Sequence, residues 1–169
     1  MSGWSFGGVV AYEAAAQLHK KGIQVKGLLL IDSPCPTGHV PLSELLIDNI
    51  LKLDSHGGGT SQIRSQIRNQ FTMNSGLLCR YEPQPHEDDS GDAFCPFAVV
   101  LRSSCGYNPP DIAEKIPAWL ADRSSDSSDA LGWNSLLKGR VKVVDIPGHH
   151  FEPFHPQNVS NQPSMFFKS

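Results

Sequence analysis

The sequence predicts an α/β fold, a mostly parallel sheet with helices on both faces, in a single domain of 169 residues. Two observations carry this. Three short apolar runs, Val25–Asp32 (VKGLLLID), Pro96–Arg102 (PFAVVLR) and Val141–Pro147 (VKVVDIP), lack the apolar–polar alternation of a half-buried strand. Continuous runs of that length suit strands covered on both faces, as in parallel sheets. Segments of helical spacing lie before and between them, and strands alternating with helices point to this layered architecture. A hydrophobic content of 39% is enough to bury a core.

Taken in order, Gly7–Lys21 reads as the first helix. Val10, Ala14, Ala15 and Leu18 recur at helical spacing, and Gly22 stands where a C′ glycine would end it. The run Val25–Asp32 is the first strand. Pro41–Leu53 and Thr60–Phe71 carry helical spacing, with Ile63, Ile67 and Phe71 on one face. The second and third strands follow at Pro96–Arg102 and Val141–Pro147. Three polar stretches, His56–Thr60 (HGGGT), Glu82–Asp92 (EPQPHEDDSGD) and Arg123–Asp129 (RSSDSSD), read as solvated loops. There is no internal repeat.

Composition excludes several classes of function. A formal net charge of −3, with no Lys/Arg run, argues against a nucleic-acid surface. No apolar stretch approaches the roughly 20 residues that span a bilayer, so no membrane partner is expected. Met1 runs into the first motif without a charged n-region or apolar h-region, which predicts a cytoplasmic location. Cys35, Cys79, Cys95 and Cys105 lack C-x-x-C spacing and read as reduced thiols. No Cys/His/Glu set has metal-ligand spacing, and neither a metal nor a resident cofactor is expected.

The chemistry begins at Gly3-Trp4-Ser5-Phe6-Gly7, a match to G-x-S-x-G, the nucleophile elbow of α/β-hydrolases. Gly3 and Gly7 leave room for a strained turn, Gly8 adds space where the helix packs, and the helical pattern starts directly after the motif. The helix N-terminus would place the Phe6 N–H where an oxyanion forms. A serine hydroxyl needs a base to remove its proton, and the base needs a carboxylate to hold its tautomer. In α/β-hydrolases the chain order is Ser, then Asp/Glu, then His.

Two aspartates compete for the acid. Asp32 abuts the end of the first apolar run, whereas SSCGYNPP separates Asp111 from the second. For the base, DIPGHHFEPF (Asp145–Phe154) follows the last run and offers His149, His150 and His155. His19, His39, His56 and His86 lie on a helix face or in polar loops and read as solvated. His56-Gly57-Gly58-Gly59 is similar to an oxyanion-loop HGGG, but it follows the serine where that loop precedes it.

The residues GWSFGGVVAYEAAAQLHKKGIQVKGLLLIDSP and GWNSLLKGRVKVVDIPGHHFEPFHPQNV together resemble the thioesterase domains that end type I polyketide synthases and nonribosomal peptide synthetases. In particular they are similar to the product-releasing thioesterase/Claisen-cyclase domains of fungal non-reducing polyketide synthases. The resemblance covers most of residues 3–159. It implies an α/β-hydrolase fold with a lid insertion at about 41–87. In that family the acid follows the first strand after the nucleophile and the histidine precedes a phenylalanine. The implied catalytic residues are therefore Ser5, Asp32 and His150, with His149 the fallback, and Phe6 in the oxyanion site. The implied activity is release of an acyl or polyketide chain from the phosphopantetheine arm of an acyl carrier protein, by hydrolysis, lactonisation or Claisen cyclisation. The implied partners are an acyl carrier protein or polyketide synthase.

Against the family pattern, the early strands, the strand entering the elbow and the loop with the second oxyanion donor are expected to be missing, as is a terminal helix after FHPQNV. The strand at Val25–Asp32 would then have one free edge. The two functional readings are a secondary-metabolite thioesterase and a truncated, inactive remnant or accessory protein.

Overall fold

A computed structural model describes residues 1–53, 61–83, 94, 96–123 and 129–160. Among the described residues nine elements follow in order: β1 (Ser2–Trp4), α1 (Phe6–Lys20), β2 (Leu28–Ile31), α2 (Glu44–Leu53), α3 (Ser61–Leu78), β3 (Ala98–Ser103), α4 (Ala118–Ala121), β4 (Val141–Ile146) and α5 (Pro156–Ser160). The sheet is parallel throughout, in the order β1-β2-β3-β4. The three predicted strands are present with shifted ends: β2 is trimmed at both, β3 starts two residues later and runs one further, and β4 stops one residue earlier; the α/β reading holds.

The expectation that no strand enters the elbow is corrected. Ser2, Gly3 and Trp4 pair with Leu29, Leu30 and Ile31, and the Ser5 N–H donates to the Ile31 carbonyl at 3.0 Å. β2 thus has a neighbour on each side. Three residues are too few to carry a visible periodicity, and parallel pairing alone defines the strand.

β2 and β3 are buried as the apolar runs predict; Leu28, Leu30, Ala98 and Val100 sit in the main core with Tyr12, Ala15, Ala16, Trp133 and Leu137. β4 departs from that reading. It lies at the sheet margin among the described strands, and its Lys142 and Asp145 are exposed. The buried stripe of α1 also differs from the predicted one. Gly8, Val9, Ala11, Tyr12, Ala15 and Ala16 face the core, while Val10 is exposed. Ala and Gly on that stripe let the helix lie close to the sheet. The predicted stop is present: the Gly22 N–H (φ +74°) donates to His19 O and the Ile23 N–H to Leu18 O, a Schellman closure.

α2 starts at Glu44, three residues after the predicted start, and Ser43 Oγ accepts the Leu46 N–H at 3.1 Å. This is the side-chain cap that fixes a helix start. α3 runs on to Leu78, well past Phe71, and most of its surface is exposed. Of the predicted apolar face, Ile63 is exposed, while Ile67 and Phe71 line a cavity. Arg68 on α3 bridges Glu44 and Asp48 on α2, joining the two helices. A second apolar cluster, Leu46, Ile50, Tyr107 and Leu120 with Phe71 and Phe151 against it, seats α2 over the ends of the strands. The HGGGT motif falls outside the described residues, as do Cys95, His56, His86 and most of the two other polar stretches.

Candidate active site

Ser5 sits between β1 and α1 with φ 51° and ψ −125°, a conformation a non-glycine residue adopts only under local strain. The turn is tight because the chain reverses onto itself. A Cβ on Gly3 would lie 2.1 Å from the Gly7 carbonyl, and one on Gly8 would lie 2.4 Å from Ser33 Oγ. Gly7 itself faces open space, so Gly3 and Gly8 are the two glycines that packing demands.

Asp32 ends β2 one strand away, also at positive φ (43°). Its N–H continues the sheet to the Leu101 carbonyl, and its carboxylate turns into the interior, fully buried. Oδ1 accepts the Ser103 N–H from the end of β3 at 2.7 Å. Oδ2 faces the Nδ1 of His150 at 2.8 Å and accepts from Arg123 Nη2 at 3.0 Å. Burial pushes the Asp32 carboxyl upward. The hydrogen bond from His150, the charges of His150 and Arg123, and the Ser103 N–H outweigh it and hold the group below the usual carboxylate value.

His150 follows β4 through a turn at Gly148 (φ +86°), and its Nε2 lies 2.9 Å from Ser5 Oγ. The loop is organised by Glu152, whose Oε2 accepts the His149 N–H at 3.1 Å. Trp4 Nε1–H donates to the His150 carbonyl at 3.1 Å, tying the elbow to a residue 146 positions later. Trp4, Trp119 and Phe151 surround the imidazole at ring distances of 5.5, 5.4 and 4.9 Å. With Nδ1 donating to a buried carboxylate, the Nε2 lone pair is left facing the serine hydroxyl, which is the geometry for taking its proton.

The alternatives left open by the sequence separate here. Asp111 and His155 are exposed, and His149 packs on Tyr107 and Glu152. His39, expected in solvent, is half-buried against Trp119; burial lowers its pKa and leaves its Nδ1 without a hydrogen-bond partner among the described residues. His19 packs on Phe94. Arg123, first residue of a stretch expected to be solvated, has a side chain only 4% exposed and rests on Asp32. Nothing in its polar surroundings in sequence signals this burial.

The Ser5 hydroxyl opens into a cavity of about 300 Å³. Trp4, Phe6, Leu42, Phe71, Leu78 and Trp119 give it an apolar wall, while Gln70, Asn74 and Ser75 on α3 and His39 give it polar points. Such a lining suits an organic chain with a few polar substituents. Among the described residues no group of three His, Cys, Asp or Glu side chains could hold a metal ion, and no helix is long and apolar enough to cross a membrane. Cys35 is buried and unpaired, and Cys79 and Cys105 are exposed and unpaired.

Comparison with known proteins agrees with the resemblance read from the sequence. The thioesterase domain family model matches residues 1–164. An orsellinic acid synthase of Beauveria bassiana is 35% identical over 95% of this chain, and one of Armillaria mellea is 37% identical over 90%. The chain spans about 8% and 7% of the length of these relatives. Among solved structures, the NocB thioesterase domain of the nocardicin cluster superposes over 94% of this chain and 58% of its own length, with 25% identity and a TM-score of 0.61. The thioesterase domain that cyclises surfactin shares the fold at 16% identity, with a TM-score of 0.58 over 94% of this chain and 61% of its own. The chain belongs to the thioesterase domain family, with the α/β-hydrolase fold, and is related to the non-reducing polyketide synthases of fungi.

Proposed function

We propose that the chain releases an acyl or polyketide chain from an acyl-carrier-protein thioester in secondary-metabolite biosynthesis. The observation that carries this is the continuous relay from Ser5 Oγ through His150 to the buried Asp32 carboxylate, at 2.9 and 2.8 Å. In this reading His150 Nε2 takes the Ser5 proton as Oγ attacks the thioester carbonyl. The tetrahedral oxyanion forms at the start of α1, where the Phe6 N–H belongs to the first turn and has no carbonyl one turn earlier to bond. Collapse breaks the C–S bond, and His150 returns the proton to the leaving thiolate of the phosphopantetheine arm. Water or a hydroxyl of the chain itself, deprotonated by His150, then displaces the acyl group from Ser5; an internal carbanion would do so with carbon–carbon bond formation.

In this reading α2 and α3 form the lid over the chamber, within the predicted 41–87 region. The acyl group occupies the 300 Å³ cavity under α3. The protein needs no cofactor of its own, because the carrier's phosphopantetheine presents the substrate. A carrier domain or synthase is the partner, and the cytoplasm is the proposed location.

The test is labelling of the folded protein by a fluorophosphonate, the class of reagent captured covalently by the NocB thioesterase domain, alongside hydrolysis of acyl-pantetheine thioesters. Wild type is expected to label and to turn over thioester, and Ser5→Ala to do neither. A folded wild type that fails both assays would leave the inactive-remnant reading in its place.

A further inference from the structure

Arg123 is the one cation whose side chain touches Asp32 among the described residues, and nothing in the relay requires it. Its Nη2 takes the same carboxylate oxygen as His150 Nδ1, at 3.0 against 2.8 Å. Its Nε and Nη1 are buried without a hydrogen-bond partner among the described residues. A guanidinium left with most of its donors unmet is a costly group to keep out of water. Replacing it by an apolar side chain would remove that cost, so a purely structural role accounts poorly for its presence.

We propose that Arg123 is a positioning residue of the Ser5–His150–Asp32 relay, pinning Asp32 Oδ2 and offsetting its charge so that Ser5 is activated down to a lower pH. The inference rests on the acyl-transfer reading above. With Arg123 in place, Asp32 and the guanidinium cancel, and the imidazolium formed during catalysis is the uncompensated charge. Without it, the carboxylate faces the imidazolium alone and holds its proton more tightly.

The other ionisable groups around the relay are engaged elsewhere. Arg102 on β3 is paired with Asp145 on β4. Glu152 holds His149 in the histidine loop, and Tyr107 donates to Asn49 on α2. His39 and His150 both pack on Trp119, and Asp122 is exposed. Two charges that share one carboxylate oxygen lie within about 6 Å, and at an effective dielectric of about 20 their repulsion is worth about one to two pH units.

The experiment is the fluorophosphonate labelling rate of wild type, Arg123→Gln, Arg123→Met and Arg123→Lys between pH 4 and 9. The two neutral variants are expected to reach half-maximal rate about one to two pH units higher than wild type. On the acid side they then label about 10- to 100-fold more slowly, with a smaller loss at pH 8. Arg123→Lys keeps the charge and is expected to keep the wild-type profile. An unmoved profile in a folded neutral variant, or an equal shift in the lysine variant, overturns the proposal. If neither neutral variant folds, the lysine profile decides by itself: unmoved supports, shifted refutes. The low-field ring proton of His150, followed by NMR against pH, reads the same displacement without turnover. A wild type that does not label therefore refutes the acyl-transfer reading, while the ring titration still decides the role of Arg123.

Discussion

Replacing Asp32 by Asn tests the relay at its least accessible point. Among the described residues, every group hydrogen-bonded to the carboxylate is a donor: the Ser103 N–H on Oδ1, and Arg123 Nη2 and His150 Nδ1 on Oδ2. A carboxamide offers one acceptor oxygen and one NH₂ group, so one side of the site must face donor to donor. If the NH₂ takes the Oδ2 place, the imidazole escapes the clash by moving its proton to Nε2. It then points an N–H at Ser5 Oγ and cannot accept the hydroxyl proton. If the NH₂ takes the Oδ1 place, it meets the Ser103 N–H, a buried mismatch of about 1–3 kcal/mol. Either way Arg123 loses its counter-charge, and breaking a buried pair on one side costs about 3–5 kcal/mol.

Loss of the correct tautomer in a serine–histidine–aspartate relay costs about 10⁴ in rate. Asp32→Asn is therefore expected to label with fluorophosphonate about 10³- to 10⁴-fold more slowly than wild type. Its Tm should fall by about 6–20 °C, since each kcal/mol moves a domain of this size by about 2–4 °C. Labelling kinetics on protein checked by near-UV circular dichroism, with a thermal scan alongside, measures both. A folded Asp32→Asn that labels within ten-fold of wild type would refute the assignment of the acid.

Three further outcomes follow from the same geometry. The Asp32 carboxyl is held below the usual carboxylate value in the folded protein, so its stabilising contribution is complete above the unfolded-chain value and is lost as pH falls through the lower folded value; urea midpoints should show the deficit of Asp32→Asn constant from about pH 7 to about pH 5 and shrinking only below about pH 4. Gly3→Ala forces a methyl to within 2.1 Å of the Gly7 backbone, where no flexible side chain can yield; a cost of about 3 kcal/mol and loss of Ser5 labelling are expected, and wild-type labelling would contradict the elbow geometry. Trp4→Phe removes the donor to the His150 carbonyl, worth about 1 kcal/mol, and should slow labelling several-fold while the fold, followed by far-UV circular dichroism, persists.

What the sequence made legible was set by local patterning. The runs around Leu28–Ile31 and Ala98–Ser103 are buried or half-buried on both faces, and their apolarity reports that. Gly22 ends α1 because only its positive φ permits the closing pair of hydrogen bonds, a purely local requirement. The strand Ser2–Trp4 was not legible, because three residues become a strand only through their partner Leu29–Ile31. The face of α1 was misplaced by one position: Val10 and Val9 are chemically alike, and the side that meets the sheet is decided by the close approach at Gly8. Arg123 lay furthest out of reach. It follows a four-residue helix and opens a Ser/Asp stretch, and its burial depends on the Asp32 carboxylate 91 positions earlier. The choice of Asp32 over Asp111 had a local cue in the distance of each from its strand. The choice of His150 over His149 came from the family resemblance, since adjacent histidines differ only in which way the loop turns.

In the proposed relay, the register explains why the acid can sit on the strand next to the nucleophile. Trp4 pairs with Ile31, so Ser5 and Asp32 leave neighbouring parallel strands at the same level, both at positive φ. Both chains thus break out of the sheet together, and their side chains converge above its carboxyl edge, where open parallel sheets place their ligand sites. The imidazole must then come from further along. Leu101 pairs with Ile31 and with Val144, so the end of β4 lies two strands beyond β2, and the turn at Gly148 carries His150 back across β3. β3 gives no side chain to the relay; its Ser103 N–H holds Asp32 Oδ1 as the loop passes over it. An acid placed after β3 at Asp111 would stand eight residues from the strand end and exposed, with no buried donors to fix it. At Asp32 the acid is fixed by a backbone donor, a guanidinium and the imidazole itself, and that threefold hold keeps Nε2 facing Ser5.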